Sequence, residues 1–143
     1  MTEREQLIEL SNKLFIYTDY KEWQKLKEEV FVEGDIFIDM TSTGAGTAAK
    51  MTVDMVCSLW NVGFEGIDAV HHQSGNFLVT LNNNEAAIYC YAIASHYKAA
   101  ATEGKTREFV GSYNIGCEKT AAGWRINSFK YNLKYINGNI DFK

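Results

Sequence analysis

The stretch from Ala86 to Tyr97, AAIYCYAIASHY, limits what this chain can fold into more than any other part of it. Taken with period two, it puts Ala86, Ile88, Cys90, Ala92, Ala94 and His96 on one face and Ala87, Tyr89, Tyr91, Ile93, Ser95 and Tyr97 on the other. Both faces are largely apolar, which predicts a strand covered on both sides rather than one with a wet face. One face is built of small side chains and ends in an ionisable ring. A bulky molecule could lie against it.

The flanking sequence predicts what covers that strand. Thr2 and Glu5 form a capping-box pattern ahead of Leu7, Leu10, Leu14 and Tyr17, so a helix is expected from about residue 3 to 17. Asp19 and Glu22 repeat the pattern before Trp23, Leu26 and Val30, giving a second helix over about 20–30. Asp35 to Met40 reads as a short strand, TSTGAGTAAK as a surface loop or lid without the lysine spacing of a phosphate loop, and Thr52 as the cap of a third helix that stops at Gly63. Long strands follow: Asp68 to Leu81 with an irregularity at Ser74-Gly75-Asn76, a turn at Asn82-Asn83-Asn84, then Glu85 to Lys98, Arg107 to Thr120 and Gly123 to Asn132. Helices first and antiparallel strands afterwards make an α+β fold, with the helices on the concave side of a curved sheet and a pocket between the layers. Residues 1–143 read as a single domain.

Charge and composition narrow the partners. A net charge of −4 without any basic block argues against nucleic acid and anionic membrane surfaces. No apolar run reaches the roughly 18 residues of a membrane span, and the polar start MTEREQLIEL does not resemble a signal peptide. Cys57, Cys90 and Cys117 are odd in number and widely spaced, which predicts buried free thiols in a reducing cytoplasm.

Few residues carry chemistry. His96 is either a satisfied core histidine or a proton-transfer group, its ordinary pKa of about 6.5 being suited to the latter. Asp19 reads as a helix cap, and a capping carboxylate with a free oxygen can also orient a histidine across a pocket. His71 and His72 are adjacent on a strand and point to opposite faces, so they cannot chelate one metal together, and no metal site is expected. Tyr113 shares a face with Phe109, Gly111 and Ile115; Gly111 either opens space beside it or marks a bend or close backbone packing.

Asp19-Tyr20-Lys21-Glu22-Trp23, Ile38-Asp39, His71, His96, Gly111-Ser112-Tyr113 and Gly123-Trp124-Arg125-Ile126 together resemble the SnoaL-like domains of the nuclear-transport-factor-2-like superfamily, and within it the branch that resembles scytalone dehydratase. The resemblance implies a cone-shaped, cystatin-like α+β barrel in which three N-terminal helices pack on a strongly curved antiparallel sheet. It also implies a small cyclic molecule in the cone, with catalytic positions at Asp19, its partner His96, and His71. Tyr113, Tyr17, Tyr20, Met40, Trp60 and Phe129 are the expected substrate-binding positions. Where the dehydratase pattern has water-holding tyrosines, this chain has Thr18 and Met40. The expected function is a cofactor-independent lyase or isomerase with a small-molecule ligand, the alternative being the same pocket binding without turnover. The tyrosine face of the 86–97 strand is expected to hold a homodimer or homotrimer together.

Overall fold

The computed structural model describes residues 1–143. Its first helix, α1 (Glu3–Asp19), starts on the expected capping box, with Thr2 accepting from the Glu5 amide and the Glu5 carboxylate accepting from Thr2. Its apolar stripe of Leu7, Leu10 and Leu14 is buried. The helix runs two residues past Tyr17 and is closed by Lys21 in the left-handed region, φ 55°. Helix α2 (Trp23–Lys25) widens at once into a π-helical turn over Leu26–Val30, in which the Phe31 amide reaches back to the Leu26 carbonyl. The extra residue per turn puts Leu26 and Val30, both fully buried, on the core side. Helix α3 (Val53–Gly63) has Thr52 as its cap, accepting from the Met55 amide.

Six strands follow the order β2-β1-β6-β5-β4-β3: β1 (Ile36–Asp39), β2 (Ala49–Met51), β3 (Ala69–Asn82), β4 (Glu85–Tyr97), β5 (Thr106–Thr120) and β6 (Gly123–Gly138). The sheet is curved and open, with β2 and β3 at its edges, so the cone is not a closed barrel. All pairs are antiparallel except β1 with β6, which brings the segment after α1 and α2 back alongside the last strand. The turn-rich stretch 41–50 is less free than a lid: it ends inside β2, and Ser42 both donates to the Tyr131 carbonyl and accepts from the Leu133 amide.

Bulges supply the curvature. The β3/β4 register shifts between Gly75 and Leu78, with Asn76 at φ 57°, and the β5/β6 register shifts at Val110/Gly111 and again at Gly116/Cys117. The core lies between the sheet's concave face and the helices, where Ile88, Cys90 and Ala92 of β4 meet Leu7, Leu14 and Phe15 of α1 in one buried cluster. Along β4 the small-residue face is buried as expected. The tyrosine face is not covered: Tyr91, Ile93 and Tyr97 are each about two-fifths exposed.

Candidate functional site

A cavity of about 260 Å³ opens between the helices and the concave face of the sheet. Its walls are mostly aromatic. Phe15 and Phe129 flank the Tyr113 ring with centroids at 5.1 Å each, and Trp60 packs on Phe129 at 5.7 Å. Met40 and Ala94 also line it, Ala94 because its small side chain leaves the space that the β4 pattern implied. Two imidazoles, His72 on β3 and His96 on β4, line it together with the hydroxyl-bearing Thr18, Thr43, Tyr113 and Tyr131. In the β3/β4 register His72 lies opposite Ala94 and His96 opposite Val70, so the two rings sit on one face as diagonal neighbours.

The carboxylate of Asp19 reaches His72. Its Oδ1 lies 2.5 Å from the ring Nδ1 and its Oδ2 accepts the His72 backbone amide at 2.9 Å, with the two side chains only 7% and 11% exposed. A carboxylate that pairs with two N–H groups acts as acceptor for both, so the Nδ1 proton belongs to His72 and Nε2 is the nitrogen left to exchange a proton with a ligand. Phe15 stacks on this imidazole at 5.3 Å and holds its plane. Asp19 therefore does not cap α2: Glu22 precedes that helix without a side-chain cap, and Asp19 belongs to the last turn of α1.

His96 has the opposite kind of partner. Arg107, its direct cross-strand neighbour on β5, donates Nε–H to Nδ1 at 3.1 Å. A guanidinium only donates, so Nδ1 is the acceptor and the ring proton sits on Nε2. Burial, then the positive charge of Arg107 and the proximity of His72, push the His96 pKa down to about 4 against the opposing pull of Asp19. His96 is thus a neutral ring at ordinary pH, wedged against Phe109 at 5.2 Å and Phe64 at 5.9 Å.

The remaining expected positions divide. Tyr113, Met40, Trp60 and Phe129 line the cavity. Burial raises the Tyr113 hydroxyl well above the usual phenol range, so it is a neutral hydrogen-bonding group. Tyr17 lies outside the lining, its hydroxyl donating to Glu29, and Tyr20 is 77% exposed. His71 is exposed and paired with Gln73, so its side chain is on the far face from the cavity. The pairing expected between Asp19 and His96 is replaced by Asp19 with His72. Thr18 spends its hydroxyl on the Leu14 carbonyl of its own helix at 2.6 Å, and Met40 offers none.

His72, Phe15, Phe64, Phe109 and Tyr131 belong to the site although no sequence reading singled them out as such. The signal for His72 was present in the irregularity at Ser74-Gly75-Asn76. Counted back from the 82/85 turn without a bulge, His71 would face His96; the bulge moves the register by one and turns His72 inward instead. Gly111 is explained by close packing: a side chain there would meet the Asn132 carbonyl at 2.3 Å and the Tyr131 hydroxyl at 2.7 Å. No group of three or more His, Cys, Asp or Glu side chains is placed to hold a metal ion. The three cysteines are free and buried, and burial pushes Cys57 up to about 11 and Cys90 and Cys117 up to about 12.

Residues 1–130 match the sequence profile of the SnoaL-like domain. Among solved structures, the Kfla4162 protein from Kribbella flavida is 26% identical with a TM-score of 0.89, over 95% of this chain and 93% of that one. A protein from Novosphingobium aromaticivorans provisionally named as a scytalone dehydratase is 15% identical with a TM-score of 0.80, over 94% and 86%. The hexachlorocyclohexane dehydrochlorinase LinA-type3 from Novosphingobium barchaimii is 11% identical with a TM-score of 0.76, over 94% and 88%. The last two likenesses show the fold. No curated protein matches this chain in sequence.

Proposed function

This chain belongs to the SnoaL-like domain family, and on that premise we propose that it is a cofactor-independent lyase or isomerase acting on a small, largely apolar ring compound. The observation that carries the reading is the buried Asp19 to His72 pair, whose imidazole lines an aromatic cavity. His72 Nε2 takes a proton from a ring carbon, and Asp19 holds the ring in the tautomer that leaves this nitrogen free and stabilises the imidazolium that forms. His96, neutral, presents Nε2–H to an oxygen or other electronegative atom on the same ligand. Tyr113 supplies a second hydroxyl donor from the wall. Loss of a leaving group beside the abstracted proton completes an elimination; return of the proton to another carbon completes an isomerisation. The names of two structural relatives describe loss of water and loss of hydrogen chloride, and both are eliminations that a base of this kind can serve.

His71, expected at a catalytic position, is replaced in this proposal by His72. In it Asp19 keeps the expected task of orienting a histidine, now His72, while His96 passes from the expected proton-transfer role to that of a neutral hydrogen-bond donor. General acid-base catalysis contributes about 10²- to 10⁴-fold, so His72→Phe should lower turnover by that factor on a compound recovered from the purified protein by native mass spectrometry. Undiminished turnover in that variant would end the proposal.

A second reading has its own support. Thr18 has no free hydroxyl and Met40 has none, so the water-holding groups of the dehydratase pattern are lacking. In that reading the cavity binds a ligand and releases it unchanged. Long incubation of the recovered compound with the protein distinguishes the two. The uncovered face of Tyr91, Ile93 and Tyr97 supports a homodimer or homotrimer through the outer side of the sheet, checked by light scattering at micromolar concentration. No helix is long and apolar enough to cross a membrane, and free buried thiols fit a cytoplasmic location.

A further inference from the structure

Beyond the cavity, Arg107 is the centre of a second structure that touches His96 from behind. Its Nε–H bonds His96 Nδ1 at 3.1 Å, its Nη1–H bonds the Ile140 carbonyl at 2.8 Å, and its guanidinium lies over the Phe142 ring at 4.5 Å and the Phe109 ring at 5.5 Å. The segment that carries Ile140 and Phe142 is itself pinned. Asn139 Nδ2 donates to the Gly104 and Lys143 carbonyls, the amides of Thr102 and Glu103 donate to the Lys143 carbonyl, and Phe142 is buried at φ 52°. Gly138 makes the entry: a Cβ there would lie 2.4 Å from the Thr106 carbonyl. A planar cation fixed by two aromatic faces and a carbonyl has little rotational freedom left, so the direction of its Nε–H is set before any ligand arrives.

We propose that Arg107, clamped by residues 139–142, is a positioning residue that locks His96 in its Nε2–H tautomer, so that the ligand atom meeting His96 is a hydrogen-bond acceptor such as a carbonyl or hydroxyl oxygen or a halide. This rests on the reading of the cavity as an acid-base site and specifies the ligand: a neutral ring whose acceptor atom faces His96 while an acidic C–H faces His72. A cationic ligand is disfavoured, because Arg107 lies directly behind the donor. The groups that face His96 from the elements around it are Arg107 on β5, His72 on β3 and Asp19 on α1, with the Asp141 charge acting on the guanidinium. Of these only Arg107 bonds the ring.

The test is long-range ¹H–¹⁵N correlation of the histidine side chains in the full chain, free of added ligand, with pH titration. In the wild type His96 Nδ1 should read as the unprotonated nitrogen and the ring should stay neutral to about pH 4. Arg107→Met removes both the donor and the charge: the tautomers should become mixed and the His96 midpoint should rise by about one pH unit, while remaining below its ordinary value because the ring stays buried. Arg107→Lys, which keeps the charge without the planar fork, should restore the midpoint but not the single tautomer. Phe142→Leu, which loosens the clamp and leaves Arg107 in place, should also mix the tautomers. An Nδ1–H tautomer in the wild type would overturn the proposal without any variant, and so would an unchanged tautomer in both Arg107→Met and Phe142→Leu. None of these readouts involves turnover, so failure here leaves the His72 proposal standing, and failure of His72→Phe to affect turnover leaves this one standing.

Discussion

The two histidines of the cavity are the same side chain on neighbouring strands, and they are held in opposite states. His72 is backed by a carboxylate that can only accept, which places its proton on Nδ1 and leaves Nε2 basic. His96 is backed by a guanidinium that can only donate, which places its proton on Nε2, and burial together with that positive charge holds the ring neutral. The tautomer of each ring is therefore decided by whether the hydrogen bond made behind it is accepted or donated by its fixed partner. One pocket thereby gains an acceptor and a donor from a single residue type, with no metal ligand set among its side chains.

The largest way to break this contrast is Asp19→Asn. An amide can donate as well as accept, so His72 loses its fixed tautomer, and turnover on a recovered ligand should fall by about 10²- to 10⁴-fold. A residual rate near that of the wild type would mean that His72 does not depend on its carboxylate.

Acid stability sharpens the other half. His96 takes a proton below pH 6.5 when unfolded and only below about 4 when folded, so between those values the unfolded chain binds more protons. Its contribution is complete above pH 6.5 and is lost as pH falls toward 4, up to roughly 3 kcal/mol in all. Denaturant unfolding at pH 7, 5.5 and 4 should show a shallower loss for His96→Gln than for the wild type; parallel curves would contradict the buried neutral ring.

Two smaller effects serve as controls for the comparison. Gly111→Ala drives a methyl group into the Asn132 carbonyl and should cost about 1–3 kcal/mol by denaturant unfolding without altering either tautomer. Ile93→Ser, on the outer face, should change subunit stability by no more than about 0.5 kcal/mol while reducing association in light scattering.

Much of this fold could be read from the sequence because local signals agreed with the global arrangement. The Thr2 and Thr52 caps, the apolar stripe of α1, and the small-residue face of β4 all lie where their patterns put them. The parallel β1/β6 pair carries no local pattern, since it depends on where the chain returns after two helices. The site was legible in its residue types more than in its pairings. Asp19 looked like a cap because Glu22 follows at capping distance, but the left-handed Lys21 ends α1 late and frees the carboxylate to reach β3. His71 and His72 could be separated only through the bulge at Gly75 to Leu78, since one extra residue exchanges the faces of everything beyond it. Arg107 is an ordinary charged residue in sequence; its role exists only once β4 and β5 are in register and residues 139–142 fold back over it.

The contrast between the two rings is tested most directly by assigning the protonated nitrogen of each histidine in the wild-type protein near pH 7 from its side-chain ¹⁵N signals. Nδ1–H on His72 and Nε2–H on His96 are expected. The same tautomer on both rings would contradict the contrast.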